Sequence, residues 1–134
     1  MRKPPFYRIL LLDMLRTHGE ITGYQFSKLC KQQGIILSPG SIYPLLHELL
    51  DEGLVKVRID GKRKIYSLTT IGSERIECSA ASQAPEFLKQ LFFRNLSQLV
   101  HIRWDDKDDI MKLIANAEEA KRYLEEYLQQ FSPS

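Results

Sequence analysis

The sequence predicts a mainly α fold with a small β-hairpin: a winged helix-turn-helix followed by a C-terminal helical dimerisation region. Three observations predict it. Apolar residues at helical spacing, with start and stop signals, recur three times before Gly53. Directly after Gly53 the period changes from 3.6 to 2, and Asp60-Gly61 supplies a hairpin turn signal. The end of the chain carries an apolar heptad repeat.

The first helix follows Pro4 and Pro5. Phe6, Ile9, Leu10, Leu12, Met14 and Leu15 form an apolar set dense enough for a largely buried helix, which ends at His18-Gly19. The next stretch, ITGYQFSKLCKQQG, opens on a capping-box pattern, Thr22 with Gln25, in which each side chain satisfies a free backbone N–H of the other. Ile21 before the cap and Phe26 after it suit a hydrophobic staple, and Gly34 stops the helix. The third helix lies in SPGSIYPLLHELLDEG. Ser38 stands at the N-cap and Pro39 at the first helical position, where a missing N–H costs nothing. Ile42, Leu45, Leu46, Leu49 and Leu50 make one apolar stripe.

Pro44 sits inside this third helix, where proline removes a hydrogen bond and crowds the carbonyl four residues back. Helical spacing places it on the face opposite the leucines, with Gly40, His47 and Asp51. The front of that face is smooth and uncharged, a surface that can approach a rigid partner closely.

In LVKVRI the spacing predicts a strand with Val55, Val57 and Ile59 alternating against Lys56 and Arg58; Ile65 to Thr69 forms its partner. Lys62, Arg63 and Lys64 fall at or just past the hairpin tip. From Thr70 the chain returns to helix, weakened by the small residues from Ser79 to Ser82 and broken at Pro85. PEFLKQLFFRNLSQLVHI is a further amphipathic helix, and RWDDKDD a polar junction. In the last helix Ile110, Ala117, Leu124 and Phe131 stand seven apart, with Leu113, Ala120 and Tyr127 as the second seam position and Ile114 and Leu128 widening the stripe. The FSPS tail is expected to fray. The expected domains are residues 1–75 and 76–134.

The 134 residues can bury a core without a disulfide or metal staple. Cys30 and Cys78 are not at metal-ligand spacing; both are expected to be structural, as in a reducing cytoplasm. No stretch approaches the ~18 apolar residues of a membrane span, and the N-terminus lacks a signal-peptide pattern. The expectation is a cytoplasmic protein with no membrane partner. GxSxG, P-loop, HExxH and GxGxxG motifs are missing and the three histidines are scattered, which argues against an enzyme. No cofactor or metal is expected. DDKDD lacks the glycine and terminal glutamate of a calcium loop and suits a helix start. Charge is uneven: residues 1–75 hold 12 Lys/Arg against 7 Asp/Glu, net +5, and residues 76–134 hold 7 against 10, net −3. A basic front suggests that the front alone meets a polyanion.

These patterns point to double-stranded DNA. A major groove admits one α-helix, whose first residues reach the bases. Ser38, Pro39, Gly40, Ser41, Tyr43, Pro44 and His47 are the candidate groove-facing residues. Lys62, Arg63 and Lys64 on the wing, with Lys28 and Lys31, are candidate backbone contacts, and Lys3 and Arg8 are weaker ones. The plain alternatives are a solvated amphipathic helix and lysines that protect an edge strand. The terminal seam needs a cover, and a two-fold partner would set two reading helices one DNA turn apart. Its candidate residues are Ile110, Leu113, Ile114, Ala117, Leu124, Leu128 and Phe131; packing on the chain's own body is the alternative. Trp104 either packs the junction or stacks a small aromatic effector.

GYQFSKL, SPGSIYPLLHELLDEGLV and KRKIYSLTTIG resemble the corresponding segments of the PadR-like (phenolic-acid-response type) winged-helix transcriptional regulators, over about residues 6–75. The resemblance implies a homodimeric DNA-binding repressor whose wing grips backbone, whose Ser38–Tyr43 region reads the groove and whose C-terminal helix makes the dimer. It leaves two other uses of the fold open: a protein-contact module, and a regulator whose main task is sensing an effector.

Overall fold

A helix that is apolar almost all the way round must be buried, and α1 (Pro5–His18) is. In this computed structural model, which describes residues 5–79 and 83–131, Tyr7, Leu10, Leu11, Leu12, Met14 and Leu15 are all buried. Asp13 is buried with them and forms an ion pair with Arg16 at 2.9 Å. The chain continues through β1 (Glu20–Thr22), α2 (Gly23–Gln32), α3 (Pro39–Asp51), β2 (Val55–Asp60), β3 (Arg63–Leu68), α4 (Thr70–Glu77), α5 (Glu86–His101) and α6 (Lys107–Gln129). It divides into two compact units, one ending at Ala84 and one beginning at Pro85. The expectations for Lys3, for the small residues after Ser79 and for the end of the tail lie outside the described residues.

The first unit is a winged helix. The capping box forms in full: Thr22 Oγ1 accepts from the Gln25 N–H at 3.2 Å, and Gln25 Oε1 accepts from the Thr22 N–H at 2.8 Å. Ile21 and Phe26, the staple pair, are both buried. Ser38 holds the N-cap position of α3, but its side chain caps nothing; its Oγ donates instead to Ser41 Oγ at 3.3 Å. Gly53 closes α3 at φ +73°, a left-handed conformation that glycine enters without steric cost.

The sheet has three strands and not two. Its order is β1-β3-β2, all antiparallel, with Ile21 opposite Tyr66 and Tyr66 opposite Val57. The expected alternation on β2 holds only at its base. Val55 is buried, whereas Ile59, towards the tip, is 73% exposed, because no layer covers the distal wing. A polar knot ties the base of the wing to the end of α3. Thr69 Oγ1 donates to the Gly53 carbonyl at 2.6 Å, the Thr69 N–H to the Leu54 carbonyl at 3.1 Å, and the Gly72 N–H to Thr69 Oγ1 at 3.1 Å. Gly72 lies so close to Leu54 that a Cβ there would overlap the Leu54 carbonyl oxygen. Because α4 packs on α1 and β3, the first unit runs past residue 75.

The second unit is an antiparallel helix pair. Arg94 bonds Glu119 at 3.0 Å, Asn95 donates to the Asn116 carbonyl, Asn116 bonds Gln98, and Phe87 meets Tyr123 edge to face. Asp106 caps α6, accepting from the N–H groups of Asp108 and Asp109. Here the heptad expectation needs correction, because its residues part company. Leu113, Ala120 and Tyr127 share the face that carries Asn116 and Tyr123 against α5, and are buried or half-buried. Ile114, Ala117, Leu124, Leu128 and Phe131 are exposed, and Ile110 is half-buried. Trp104 does not pack the junction; it is 65% exposed. Cys30 is buried, as expected, and Cys78 is exposed, so only the first has a packing role.

Among the described residues no helix is long and apolar enough to cross a membrane. None of their His, Cys, Asp and Glu side chains cluster in threes that could hold a metal ion.

Candidate nucleic-acid interface

The leucine stripe fixes how α3 presents its other side. Ile42, Leu45, Leu46 and Leu49 are buried, while Pro39, Gly40, Pro44 and His47 are exposed with Ser38, and Ser41 is half-exposed. Pro44 therefore lies where its ring meets solvent. The front of this face has little relief: a Cβ at Gly40 would meet only Ser38 Oγ, at 3.8 Å.

Tyr43 is turned differently. It is 44% exposed and leans onto the first residue of α2: a Cβ at Gly23 would fall 2.5 Å from the Tyr43 hydroxyl and 2.7 Å from two ring carbons. Only glycine leaves room for the ring. The Tyr66 phenol lies near, and burial, then the neighbouring Tyr43, raises its pKa.

Between the start of α2 and the wing runs an open cleft of about 1010 Å³. Thr22, Gly23, Tyr24, Gln25 and Lys28 line one side, Lys62, Arg63 and Lys64 the other, with Tyr43 also on the wall. The fold thus gathers Lys28, Tyr43 and the three wing cations, which lie far apart in sequence. Lys31, also exposed, and Ser38, Pro39, Gly40, Ser41, Pro44 and His47 stand outside the cleft.

The local charges are partly paired. Glu20 enters the cleft wall, yet Arg58 holds it at 2.8 and 3.3 Å, and that hydrogen bond and charge lower the Glu20 pKa. Arg63 pairs with Asp60 across the turn at 3.4 Å. Among the described residues Lys28, Lys62 and Lys64 have no ion-pair partner, so they supply the open positive charge. Arg8 does not belong with them. It reaches the end of α3 and pairs with Glu48 and Glu52, and so ties α1 to α3 instead of facing outward. That pairing joins residues 40 and 44 apart, a distance at which sequence reasoning sees only separate charges. Tyr24, 75% exposed on the cleft wall, was also missed; its place beside Lys28 at i, i+4 was the available signal.

The second unit carries an apolar groove of about 480 Å³ between α5 and α6. Leu124, Leu128 and Ala117 line it from α6, and Phe92, Leu96 and Leu99 from α5. The α5 residues lie within the C-terminal region expected to dimerise, although the seam residues named there are all on α6. Trp104 does not line it.

Residues 11–78, half of the chain, match the transcriptional regulator PadR-like family. The chain belongs to that family. An uncharacterised protein of Methanocaldococcus jannaschii is 39% identical to this PadR-like chain over 59 residues, 43% of this chain and 13% of that one. The PadR-like chain thus spans only about an eighth of that relative's length. Bacillus subtilis PadR, solved in complex with operator DNA, is similar at a TM-score of 0.50 and 21% identity, over 95% of this chain and 99% of that one. A mutant of MarR from E. coli is similar at 0.50 and 18%, over 95% and 76%. At these identities the likeness is one of fold, the winged helix.

Proposed function

We propose that this PadR-like chain regulates transcription by binding duplex DNA as a homodimer, on a pseudo-palindromic operator, and that it represses by occluding the promoter. One observation carries the reading. The uncharged, low-relief front of α3 stands free beside a cleft whose open charges are lysines. A smooth helix end suits close approach to base edges, and unpaired cations suit phosphates. That Bacillus subtilis PadR was solved with operator DNA supports the same use of this fold.

Replacing Lys62, Arg63 and Lys64 together by alanine is expected to weaken binding to all duplexes and to lower the salt slope by roughly 0.9 for each phosphate no longer neutralised. Ser41→Ala is expected to act mainly on discrimination, by about 1–3 kcal/mol where its hydroxyl bonds a base edge. Affinity measured between low and moderate salt decides the matter. A module that only binds protein would show no affinity for duplex at any salt, and that result would end the DNA reading.

The exposed groove between α5 and α6 supports the homodimer, because an apolar face of this kind is stable only when covered. Lys121 and Glu125 on its rim pair with each other at 3.7 Å along α6, which leaves the apolar floor as the part that needs a cover. Leu124→Glu with Leu128→Glu is expected to give monomers by sedimentation, with operator affinity abolished. A dimer that survives both changes would place the interface elsewhere. A groove of about 480 Å³ also has the size of a small-ligand site, so an apolar effector bound there would compete with the partner helix. Trp104 stands outside that groove, so the proposed effector does not stack on it.

A further inference from the structure

Residues on the exposed side of α3 do not all face the same surroundings. Gly40, Pro44 and His47 look outward along one line, whereas Tyr43, one position away from Pro44, is turned by about 100° towards α2. Its ring rests on Gly23, and it lines the cleft whose other wall is the wing. Among the described residues nothing else from the front of α3 reaches that cleft. What the cleft offers is positive: Lys28, Lys62 and Lys64 are open, and the carboxylate on its wall, Glu20, is occupied by Arg58. An uncharged phenol among lysines is suited to give a hydrogen bond to an anionic oxygen. It is poorly placed for a base edge, which would have to leave the groove to meet it.

We propose that Tyr43 and the wing clamp one sugar-phosphate strand between them, with Gly23 as the residue that positions the tyrosine, so that base reading falls to Ser38, Gly40, Ser41, Pro44 and His47 alone. This rests on the DNA reading above and assigns Tyr43 a different part in it. The α2 backbone acts as a backstop. Because Gly23 has no side chain, the hydroxyl end of the ring can rest against the start of α2, on the cleft wall. Any larger residue would push the ring towards the space the strand must occupy.

The test compares two duplexes of equal length, one recovered by selection from random DNA and one with its sequence shuffled. Affinities are read by fluorescence anisotropy for the wild type, Tyr43→Phe, Tyr43→Ala, Gly23→Ala and the Gly23→Ala/Tyr43→Ala double variant. Tyr43→Phe is expected to bind both duplexes about tenfold more weakly, as for the loss of a hydrogen bond to a charged group. The ratio of the two affinities should stay fixed, and so should the salt slope, because no cation is removed. Gly23→Ala should weaken binding to both duplexes alike, and it should add nothing once Tyr43 is alanine. Losses confined to the selected duplex would make Tyr43 a base reader and overturn the assignment. So would unchanged binding of Tyr43→Phe, or additive losses from Gly23→Ala and Tyr43→Ala. Should Gly23→Ala fail to fold by circular dichroism, Tyr43→Phe, whose ring fills the same space, carries the test by itself. A wild-type chain that binds neither duplex would remove the DNA reading and this assignment with it; binding by the wild type with any of the other failures removes the assignment only.

Discussion

Gly72→Ala tests the polar knot beneath the wing. On helix propensity alone the change should help, because alanine in a helix interior is favoured over glycine by about 0.8–1 kcal/mol. Position 72 reverses that expectation. A Cβ there would overlap the Leu54 carbonyl oxygen and lie 2.8 Å from its carbon and 3.2 Å from the Leu54 Cα. The obstacle is backbone, so no rotamer can relieve it, and α4 must move away from the start of the wing. Overpacking of this kind costs about 1–3 kcal/mol. Moving α4 also strains the Thr69 bonds to Gly53 and Leu54, each worth about 1 kcal/mol net. The expected outcome is a net loss of about 2–4 kcal/mol, read as a lower urea midpoint by circular dichroism at an unchanged m-value. A variant as stable as the wild type, or more stable, would refute the packing argument and the knot with it.

Three further outcomes follow from the same geometry. Gly40→Ala has open space and should raise stability by up to about 1 kcal/mol, while weakening the selected duplex by crowding the front of α3; weaker stability, or unchanged binding, counts against that face as a close-approach surface. Glu52 titrates below its ordinary value of 4.5, chiefly through the Arg8 hydrogen bond. A carboxyl depressed in the folded state contributes stability above its unfolded pKa and loses it as pH falls. The gap in urea midpoint between wild type and Arg8→Met should therefore close between about pH 5 and pH 3, and a gap that widens there would exclude the pair as its source. Burial pushes the Cys30 thiol up to about 11 and hides it, while Cys78 is exposed, so a thiol reagent near pH 8 should modify one cysteine quickly and the second only on unfolding; two fast thiols would place Cys30 at the surface.

What could be read from the sequence was local. The Thr22–Gln25 box spans one helical turn, the α3 stripe repeats every turn, and Asp60-Gly61 needs only the two strands beside it. What could not be read depends on partners brought from afar. β1 is three residues long and exists because β3 offers an edge some 45 residues later. Arg8 looks like a free cation until α3 arrives with Glu48 and Glu52. Val57 and Ile59 obey a period of 2, but a period says which side chains share a face and not whether anything covers that face. The same gap misled the reading of α6. A heptad gives apolar positions, yet two neighbours can divide them, and α5 took Leu113, Ala120 and Tyr127 while the rest remained for another surface.

On the proposed reading of DNA by α3, Pro44 separates what folding needs on this helix from what binding needs. Its ring removes an N–H that the Gly40 carbonyl would otherwise accept from, a cost the helix bears on a face that contributes nothing to the core. The buried leucines and the Arg8 pairs to Glu48 and Glu52 hold the helix in place from behind. Held that way, α3 can carry a proline and a glycine at its front, where neither favours a helix and both keep the surface low. Tyr43, between the two faces, is fixed by α2 and not by the core. Stability and recognition on this helix should therefore respond to different substitutions, in opposite directions wherever a better helix former replaces Gly40 or Pro44.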